Sequence, residues 1–353
     1  MRAVVLRSHG GPEVLVVEDI PDPVPGPEEV LVAIRATALN RADILQRMGL
    51  YPNPYPEEHE VPGLEFAGTV AAVGERVRMW KPGDEVMSIT GGGAYAERIA
   101  VHERQLMRVP ARVGLDDAAA IPEVYLTAWD ALVVQGGLTS GRWALVHAGA
   151  SGVGTAAIQI AKAIGANVAV TCSGGKVAAV RALGADLVVD YGAQDFVEET
   201  KRVTGGRGVD VILDVIGGDY VNRNIAAVAL KGRVVQVGVM GGATTPVNIG
   251  AMLAKRMQLI GTVLRARPLE EKISLTQRFI AEMLPLFDTG VLRPVIDCRY
   301  PMDRIAEAHA VMERNANVGK ILIDVGCPPK TFSVPKLTKI VSFGTDSERG
   351  ERG

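Results

Sequence analysis

The chain has 353 residues with 38 Lys and Arg against 40 Asp and Glu, and 48% of its residues are hydrophobic. This length predicts two domains, and a net charge of −2 gives no electrostatic reason to expect nucleic acid or an anionic membrane as the main partner. The three cysteines lie far apart without the spacing of a zinc site, so no metal site is predicted. No signal-peptide pattern or apolar run of roughly 18 residues is found, so a cytoplasmic location is expected.

Residues 1–122 predict a β-rich domain with one short helix. Turns rich in Gly and Pro separate short segments of strand-like alternation. The helix is predicted to start at Asn40, an N-cap residue that Asp43 follows three positions later. The predicted strands cover residues 3–6, 15–19, 30–39, 66–73, 84–89, 95–101 and 106–109.

Residues 123–267 alternate between strand and helix patterns. Short apolar runs predict strands at 143–148, 167–172, 187–190, 209–214, 233–239 and 259–263, with helices between them. Six parallel strands joined by crossover helices form a doubly wound α/β sheet. The ligand crevice of such a sheet lies at the carboxyl ends of its strands.

A glycine-rich turn follows the first of these strands. It reads as a G-x-G-x-x-G fingerprint in which Ser151 replaces the second glycine. Small residues let the backbone approach a pyrophosphate, and the N–H groups of the next helix donate hydrogen bonds to it. An ordinary strand-to-helix turn is the alternative, but the position between a strand and a helix favours dinucleotide binding. The predicted cofactor-binding residues of this turn are Gly149, Ala150, Ser151, Gly152, Val153 and Gly154.

The residues after the predicted strand 167–172 indicate whether the chain binds NADH or NADPH. NAD enzymes place Asp or Glu there, whereas this chain has Ser173, Gly174, Gly175 and Lys176. A hydroxyl and a cation suit a 2′-phosphate, so NADPH is the predicted cofactor. A solvated Lys176 is the alternative, although a cation in the first turn of a helix opposes the helix dipole. Other residues that follow strand ends are expected to face the cofactor: Tyr191, Gly217, Gly238 to Gly241, and Leu264 to Arg267.

The chain after residue 267 predicts a return to the first domain. Helical patterns at 269–287 and 302–315 and strands at 295–300 and 320–325 are too few to bury a core alone. The predicted division is therefore a discontinuous domain of residues 1–122 and 268–325, a nucleotide-binding domain of residues 123–267, and a C-terminal tail of residues 326–353 with little structure of its own.

Five motifs together carry a resemblance to a known family. They are NRAD at 40–43, GLYP at 49–52, PGLEFAG at 62–68, TAWDAL at 127–132 and HAGASGVG at 147–154. In this combination the chain resembles the zinc-free quinone oxidoreductases of the medium-chain dehydrogenase/reductase superfamily. It is nearest to the branch of the p53-inducible quinone oxidoreductase and more distantly similar to ζ-crystallin. The resemblance covers residues 1 to about 325.

The resemblance implies a GroES-like catalytic domain and a Rossmann domain, with NADPH as hydride donor and quinones, including ortho-quinones, as acceptors. It also implies a homodimer joined through the edge of the Rossmann sheet. Tyr51 would stand beside the nicotinamide, with Asn40 and Asp43 on the substrate side. Lys176 and Tyr191 would hold the 2′-phosphate, supported by Ser173 and Gly174. Further cofactor contacts would come from Thr127, Met240, Gly241, Leu264, Arg265 and Asn317.

The chemistry expected of this chain follows from what it lacks. Zinc-dependent members of the superfamily place a cysteine near Arg41 and a histidine at the position of Leu64, and this chain has neither. Without a Lewis acid, alcohol dehydrogenation fits poorly, whereas a quinone accepts hydride into a delocalised system. Two alternatives stay open: a reductase of activated alkenes such as enones or enoyl thioesters, and a non-catalytic NADPH-binding or RNA-binding protein.

Each candidate residue also has a purely structural interpretation. Asn40 and Asp43 could serve only to cap their helix, and Tyr51 could pack on a surface loop. Tyr191 and Arg265 could be surface residues. For Glu65 a role in packing between the domains is expected.

Overall fold

The computed structural model describes residues 1–54 and 58–325. The chain opens with a hairpin, β1 (Arg2–Leu6) and β2 (Leu15–Asp19), then forms β3 (Glu29–Ala38) and α1 (Arg41–Arg47). It continues with β4 (Glu65–Val73), β5 (Glu85–Ile89), β6 (Arg98–His102), β7 (Met107–Arg108), α2 (Leu115–Ala118) and α3 (Pro122–Trp129). The predicted tail, 326–353, lies outside the described residues.

A second, parallel sheet follows α3. Its elements are β8 (Trp143–Val146), α4 (Gly152–Ala163), β9 (Asn167–Cys172), α5 (Val177–Ala182), β10 (Leu187–Asp190), α6 (Phe196–Val203), β11 (Val209–Asp214), α7 (Tyr220–Ala227), β12 (Val228–Gln236), α8 (Ile249–Lys255) and β13 (Gln258–Gly261). The strand order is β10-β9-β8-β11-β12-β13, and every neighbouring pair is parallel. The predicted six-stranded doubly wound sheet is therefore confirmed.

The last elements are α9 (Leu269–Glu282), α10 (Leu284–Asp288), β14 (Ile296–Pro301), α11 (Ile305–Glu313) and β15 (Lys320–Asp324). β15 pairs antiparallel with β3, so the chain returns to the sheet that holds β3 to β7. One helix predicted for 269–287 is in fact two, because Pro285 lacks the N–H group that would continue the first. The domain boundaries given above stay predictions.

The aromatic core lies where α3, α4 and α9 meet. Trp129 is fully buried and packs edge-on against Phe279, with ring centroids 5.8 Å apart. Tyr125 and Phe287 form a second edge-on pair at 4.8 Å. Such pairs bury a large apolar area, so they fix α3 against α9 and α10. Gln159 of α4 donates to Tyr125 OH at 3.0 Å and so joins α4 to this core. The amino end of α4, which carries the glycine turn, is positioned in this way.

Candidate functional site

A cavity of about 760 Å³ opens at the carboxyl edge of the parallel sheet. One wall consists of the glycine turn and the residues after β9, β10 and β11. The opposite wall consists of α1, the end of α11 and the start of β15. The crevice therefore lies where ligands bind to doubly wound sheets.

The glycine turn forms the floor of this cavity. Ser151 is the N-cap of α4, and its Oγ accepts a hydrogen bond from Gly154 N at 3.0 Å. A Cβ on Gly149 would stand 2.7 Å from Val170, and one on Gly154 would stand 2.4 Å from the carbonyl oxygen of Ala148. Both positions are therefore too crowded for a side chain. The close approach of strand and helix leaves the backbone N–H groups of Gly152 and Val153 at the floor, and N–H groups at the start of a helix can donate to an anion.

The residues after β9 and β10 form the cationic end. Lys176 Nζ donates to Asn317 O at 2.7 Å, across the cavity. Partial burial lowers the pKa of Lys176, because a desolvated ammonium is less stable than a hydrated one. Tyr191 is 55% exposed and lines the same end. Asp190 Oδ1 accepts from Gly192 N at 3.0 Å, and Asp190 does not line the cavity in the described chain.

Asn40 lines the opposite wall within a buried polar cluster. Its Nδ2 donates to Glu65 Oε1 at 2.9 Å, and its Oδ1 accepts from Lys320 Nζ at 2.7 Å. Lys320 and Glu65 also form an ion pair at 2.7 Å. The other oxygen of Glu65 accepts from Glu123 N at 2.8 Å, at the start of α3. The Asn40 amide is therefore held rigidly toward the cavity, and Glu65 joins β4 to α3.

Asp43 lies behind Asn40, fully buried and away from the cavity lining. Its Oδ2 accepts from Asn40 N and from Tyr95 OH, both at 2.8 Å. Burial raises the pKa of Asp43 to about 6, and the two hydrogen bonds act in the opposite direction. The predicted capping contact is therefore present.

Tyr51 and Arg265 form a separate contact. The Arg265 guanidinium carbon lies 5.0 Å from the centroid of the Tyr51 ring, and Nη1 donates to Tyr51 O at 3.2 Å. Nε donates to Gly91 O at 2.7 Å, and Nη2 donates to Gln46 Oε1 at 2.8 Å. Arg265 is only 4% exposed, so the surface interpretation is wrong. Arg265 instead ties the segment after β13 to the loop that carries Tyr51.

A hydrogen-bonded network supports the floor from below. His147 Nε2 lies 2.7 Å from Asn224 Oδ1, and Asn224 Nδ2 donates to Asp214 Oδ2 at 2.8 Å. The other Asp214 oxygen accepts from the backbone of Ile216 at 2.6 Å and of Gly217 at 3.1 Å. All three side chains are fully buried. The network therefore fixes the loop after β11 against the strand that enters the glycine turn.

The structure brings some of the predicted site residues to the cavity and keeps others behind it. Those that line it are Asn40, Ala150, Ser151, Gly152, Val153, Ser173, Lys176, Tyr191, Met240 and Asn317. Within the described residues, the lining does not include Tyr51, Asp43, Thr127, Gly149, Gly154, Gly174, Gly217, Gly238, Gly241, Leu264 or Arg265. Thr127 is buried in α3, and Gly217 packs its backbone against Gly242. Their roles toward a cofactor stay predictions.

Among the cavity residues that sequence reasoning missed are two cations, Arg41 and Lys320. Arg41 is the first residue of α1, and Lys320 opens β15. Both are fixed by contacts across the fold: Arg41 Nη2 bonds Asn315, and Lys320 bonds Asn40 and Glu65. The available signals were that Arg41 follows Asn40 directly and that Lys320 closes the Asn317-Val318-Gly319-Lys320 segment.

Comparisons with known proteins cover almost the whole fold. A family model for zinc-binding dehydrogenases matches residues 183–323, and one for the alcohol dehydrogenase GroES-like domain matches residues 26–111. The chain is 32% identical to the synaptic vesicle membrane protein VAT-1 homolog of Rattus norvegicus, over 94% of this chain and 86% of that protein. It is also 32% identical to the quinone oxidoreductase of Homo sapiens, over 92% of this chain and 97% of that protein.

Solved structures of dehydrogenases and reductases also align with most of this chain. Escherichia coli quinone oxidoreductase complexed with NADPH aligns with a TM-score of 0.83 at 30% identity, covering 92% of this chain and 100% of that one. An NAD-dependent alcohol dehydrogenase aligns with a TM-score of 0.82 at 34% identity, with coverages of 92% and 100%. The JamJ enoyl reductase aligns with a TM-score of 0.83 at 28% identity, with coverages of 92% and 98%.

Proposed function

Because the chain belongs to the medium-chain dehydrogenase/reductase superfamily, we propose that it is an NADPH-dependent oxidoreductase that reduces quinones without zinc. The end of β9 carries the proposal: Ser173 and Lys176 line the cavity where an NAD enzyme places an acid. A quinone oxidoreductase of the same fold has been solved with NADPH. The similar NAD-dependent structure makes the choice of nucleotide the first point to test.

The cavity has groups suited to each part of NADPH. The N–H groups at the start of α4 suit the diphosphate, and Lys176 with Tyr191 suits the 2′-phosphate. NADPH would supply a hydride from its nicotinamide ring. The protein would align that ring with the acceptor and limit the access of water. Asn40 Nδ2 already donates to Ala38 O and Glu65 Oε1, so Asn40 would accept a hydrogen bond at Oδ1 from a hydroxyl of the reduced acceptor.

The side chains on this face of the cavity do not fit zinc, although one matching family model is named for it. Within residues 1–54 and 58–325, no group of three His, Cys, Asp or Glu is placed to hold a metal ion. The buried carboxylate of Glu65, which accepts from Asn40 Nδ2, is already paired with Lys320 Nζ at 2.7 Å. A second cation beside that ammonium would be repelled. We therefore assign the stabilisation of the reduced acceptor to hydrogen-bond donors.

Reduction of activated alkenes is the second candidate, since the chain is also similar to an enoyl reductase. An enone or enoyl thioester accepts hydride with the same geometry as a quinone. The test is NADPH consumption by stopped flow with phenanthrenequinone, a benzoquinone and an enoyl-CoA. Turnover of the quinones is expected, and turnover confined to the thioester would replace the first proposal by the second.

A Tyr51→Ala variant tests the substrate side in the same assay. Tyr51 lies in the loop after α1, where Arg265 packs over its ring and donates to its carbonyl oxygen. If it stands beside the nicotinamide, turnover should fall about tenfold or more while NADPH affinity changes little. Unchanged turnover would show that Tyr51 is only a packing residue.

We also propose a homodimer joined through β13, at the end of the parallel sheet. Leu259, Val263 and Leu253 are exposed near this edge, and an unpaired apolar edge favours association. Sedimentation should give twice the chain mass, and a Leu259→Lys variant should shift it to the monomer. A monomeric wild-type chain would refute this proposal.

No helix in the described part of the chain is long and apolar enough to cross a bilayer.

A further inference from the structure

Two cations face the cavity without a carboxylate partner. Arg41 on α1 and Lys176 after β9 line it from opposite walls, and neither forms an ion pair within residues 1–54 and 58–325. The other charged residues of the lining are neutralised. Lys320 pairs with Glu65, and Glu313 pairs with Arg47.

Arg41 has neutral partners only. Its Nη2 donates to Met312 O at 3.0 Å, at the end of α11, and to Asn315 Oδ1 at 2.5 Å. In the described chain its Nε and Nη1 donate to no protein acceptor. Burial lowers the pKa of Arg41, and the negative charge of Glu313, which is paired with Arg47, acts in the opposite direction. An anion placed beside Arg41 would stabilise its charge directly.

The two cations reach the same short segment after α11. Arg41 Nη2 donates to Asn315 Oδ1 at 2.5 Å, and Lys176 Nζ donates to Asn317 O at 2.7 Å. Burial is the main cause that lowers the pKa of Lys176, and the positive charge of Arg41 adds to it. Mutual repulsion disfavours this arrangement unless an anion lies between the two groups. The diphosphate of a dinucleotide has its own donors at the start of α4, whereas Lys176 follows β9, where the adenosine ribose is expected.

We propose that Arg41 is a second ligand of the 2′-phosphate of NADPH, placed opposite Lys176. This inference depends on the proposed function, because it assumes that NADPH is the bound nucleotide. Nη2 of Arg41 already donates to Met312 O and Asn315 Oδ1, so the guanidinium would bind a phosphate through its charge and a single hydrogen bond, from Nε or from Nη1. The 2′-phosphate would then join α1 to the parallel sheet, so preference for NADPH would depend on both walls of the cavity. NADH would leave the two cations facing each other.

The test compares dissociation constants of the wild type and an Arg41→Gln variant for NADPH, NADH and 2′,5′-ADP by isothermal titration calorimetry. We expect about tenfold or greater weakening for NADPH and 2′,5′-ADP, with NADH changed about twofold or less. An Arg41→Lys variant keeps the positive charge and should lose less NADPH affinity than Arg41→Gln. Arg314→Gln is the matched control, because Arg314 is exposed beside the same helix end and does not line the cavity.

Two outcomes would overturn the inference and are distinguishable. Equal weakening for NADPH and NADH would mean that Arg41 only caps the end of α11 or contacts the diphosphate. A wild type without preference for NADPH would refute the proposed cofactor itself, whatever the variants do. Should Arg41→Gln fail to fold, an Arg41→Met variant replaces it, and unchanged affinities for NADPH and 2′,5′-ADP in that variant would refute the contact.

Discussion

Reversing the charge of Lys176 should weaken NADPH far more than NADH. Lys176 is half-buried at the end of β9, and its ammonium is in reach of the cavity because it donates to Asn317 O at 2.7 Å. A hydrogen bond between charged groups contributes about 1.5–3 kcal/mol. The bond to Asn317 O would be exchanged for the one to phosphate, and solvent access screens part of the attraction. We therefore expect Lys176→Glu to weaken the binding free energy of NADPH by about 1.5–3 kcal/mol, which raises its Kd by a factor of about 10 to 150.

Isothermal titration with NADPH and NADH at low and moderate salt measures this difference. Lys201→Glu, a charge reversal on the exposed face of α6, is the matched control and should leave both affinities unchanged. Higher salt should reduce the wild-type advantage of NADPH over NADH, since part of it is electrostatic. Equal losses of NADPH and NADH in Lys176→Glu would refute the assignment of the 2′-phosphate to this end of the cavity.

Three further predictions concern the floor of the cavity and the buried histidines. Gly154→Ala should weaken NADPH at least about tenfold and cost about 1–3 kcal/mol of stability, because the new Cβ would lie 2.4 Å from a carbonyl oxygen. Gly175→Ala, with nothing within 4 Å of the added Cβ, should change neither quantity. Asn224→Leu should lower the free energy of unfolding in urea by about 2–4 kcal/mol, since it leaves two buried polar groups unpaired. A loss below about 1 kcal/mol would contradict that network's role. Burial lowers the pKa of His309 to about 3. The contribution of the neutral imidazole to the free energy of unfolding is therefore complete above pH 6.5 and is lost as the pH falls toward 3. Relative to His309→Leu, the wild type should lose about 1.4 kcal/mol per pH unit below 6.5, and parallel stability curves would refute this.

Local patterns predicted the parallel sheet and the glycine turn well. Gly149 to Gly154 could be located from sequence because a strand, a tight turn and a helix follow each other within about twenty residues. The capping contact of Asp43 with Asn40 N was equally local. Short-range hydrogen bonds and apolar periodicity decide such features, and both can be read directly from the chain.

The charge pattern of the cavity could not be predicted in the same way. Arg41 reaches Asn315, and Lys320 reaches Glu65, only because β15 pairs with β3. These partners are far apart in sequence, so no local pattern indicates them. Arg265 was predicted at a strand end that faces the cofactor, but three acceptors from Gly91, Tyr51 and Gln46 draw its side chain away. Tertiary hydrogen bonds thus override the position on the strand.

A structure of the protein crystallised with NADPH would test the central claim most directly. The diphosphate is expected at the N–H groups that begin α4, between Gly152 and Gly154, with the 2′-phosphate between Lys176 and Arg41 and no metal ion beside Glu65. An empty glycine turn in crystals saturated with NADPH, or a zinc ion bound in the cavity, would contradict the account.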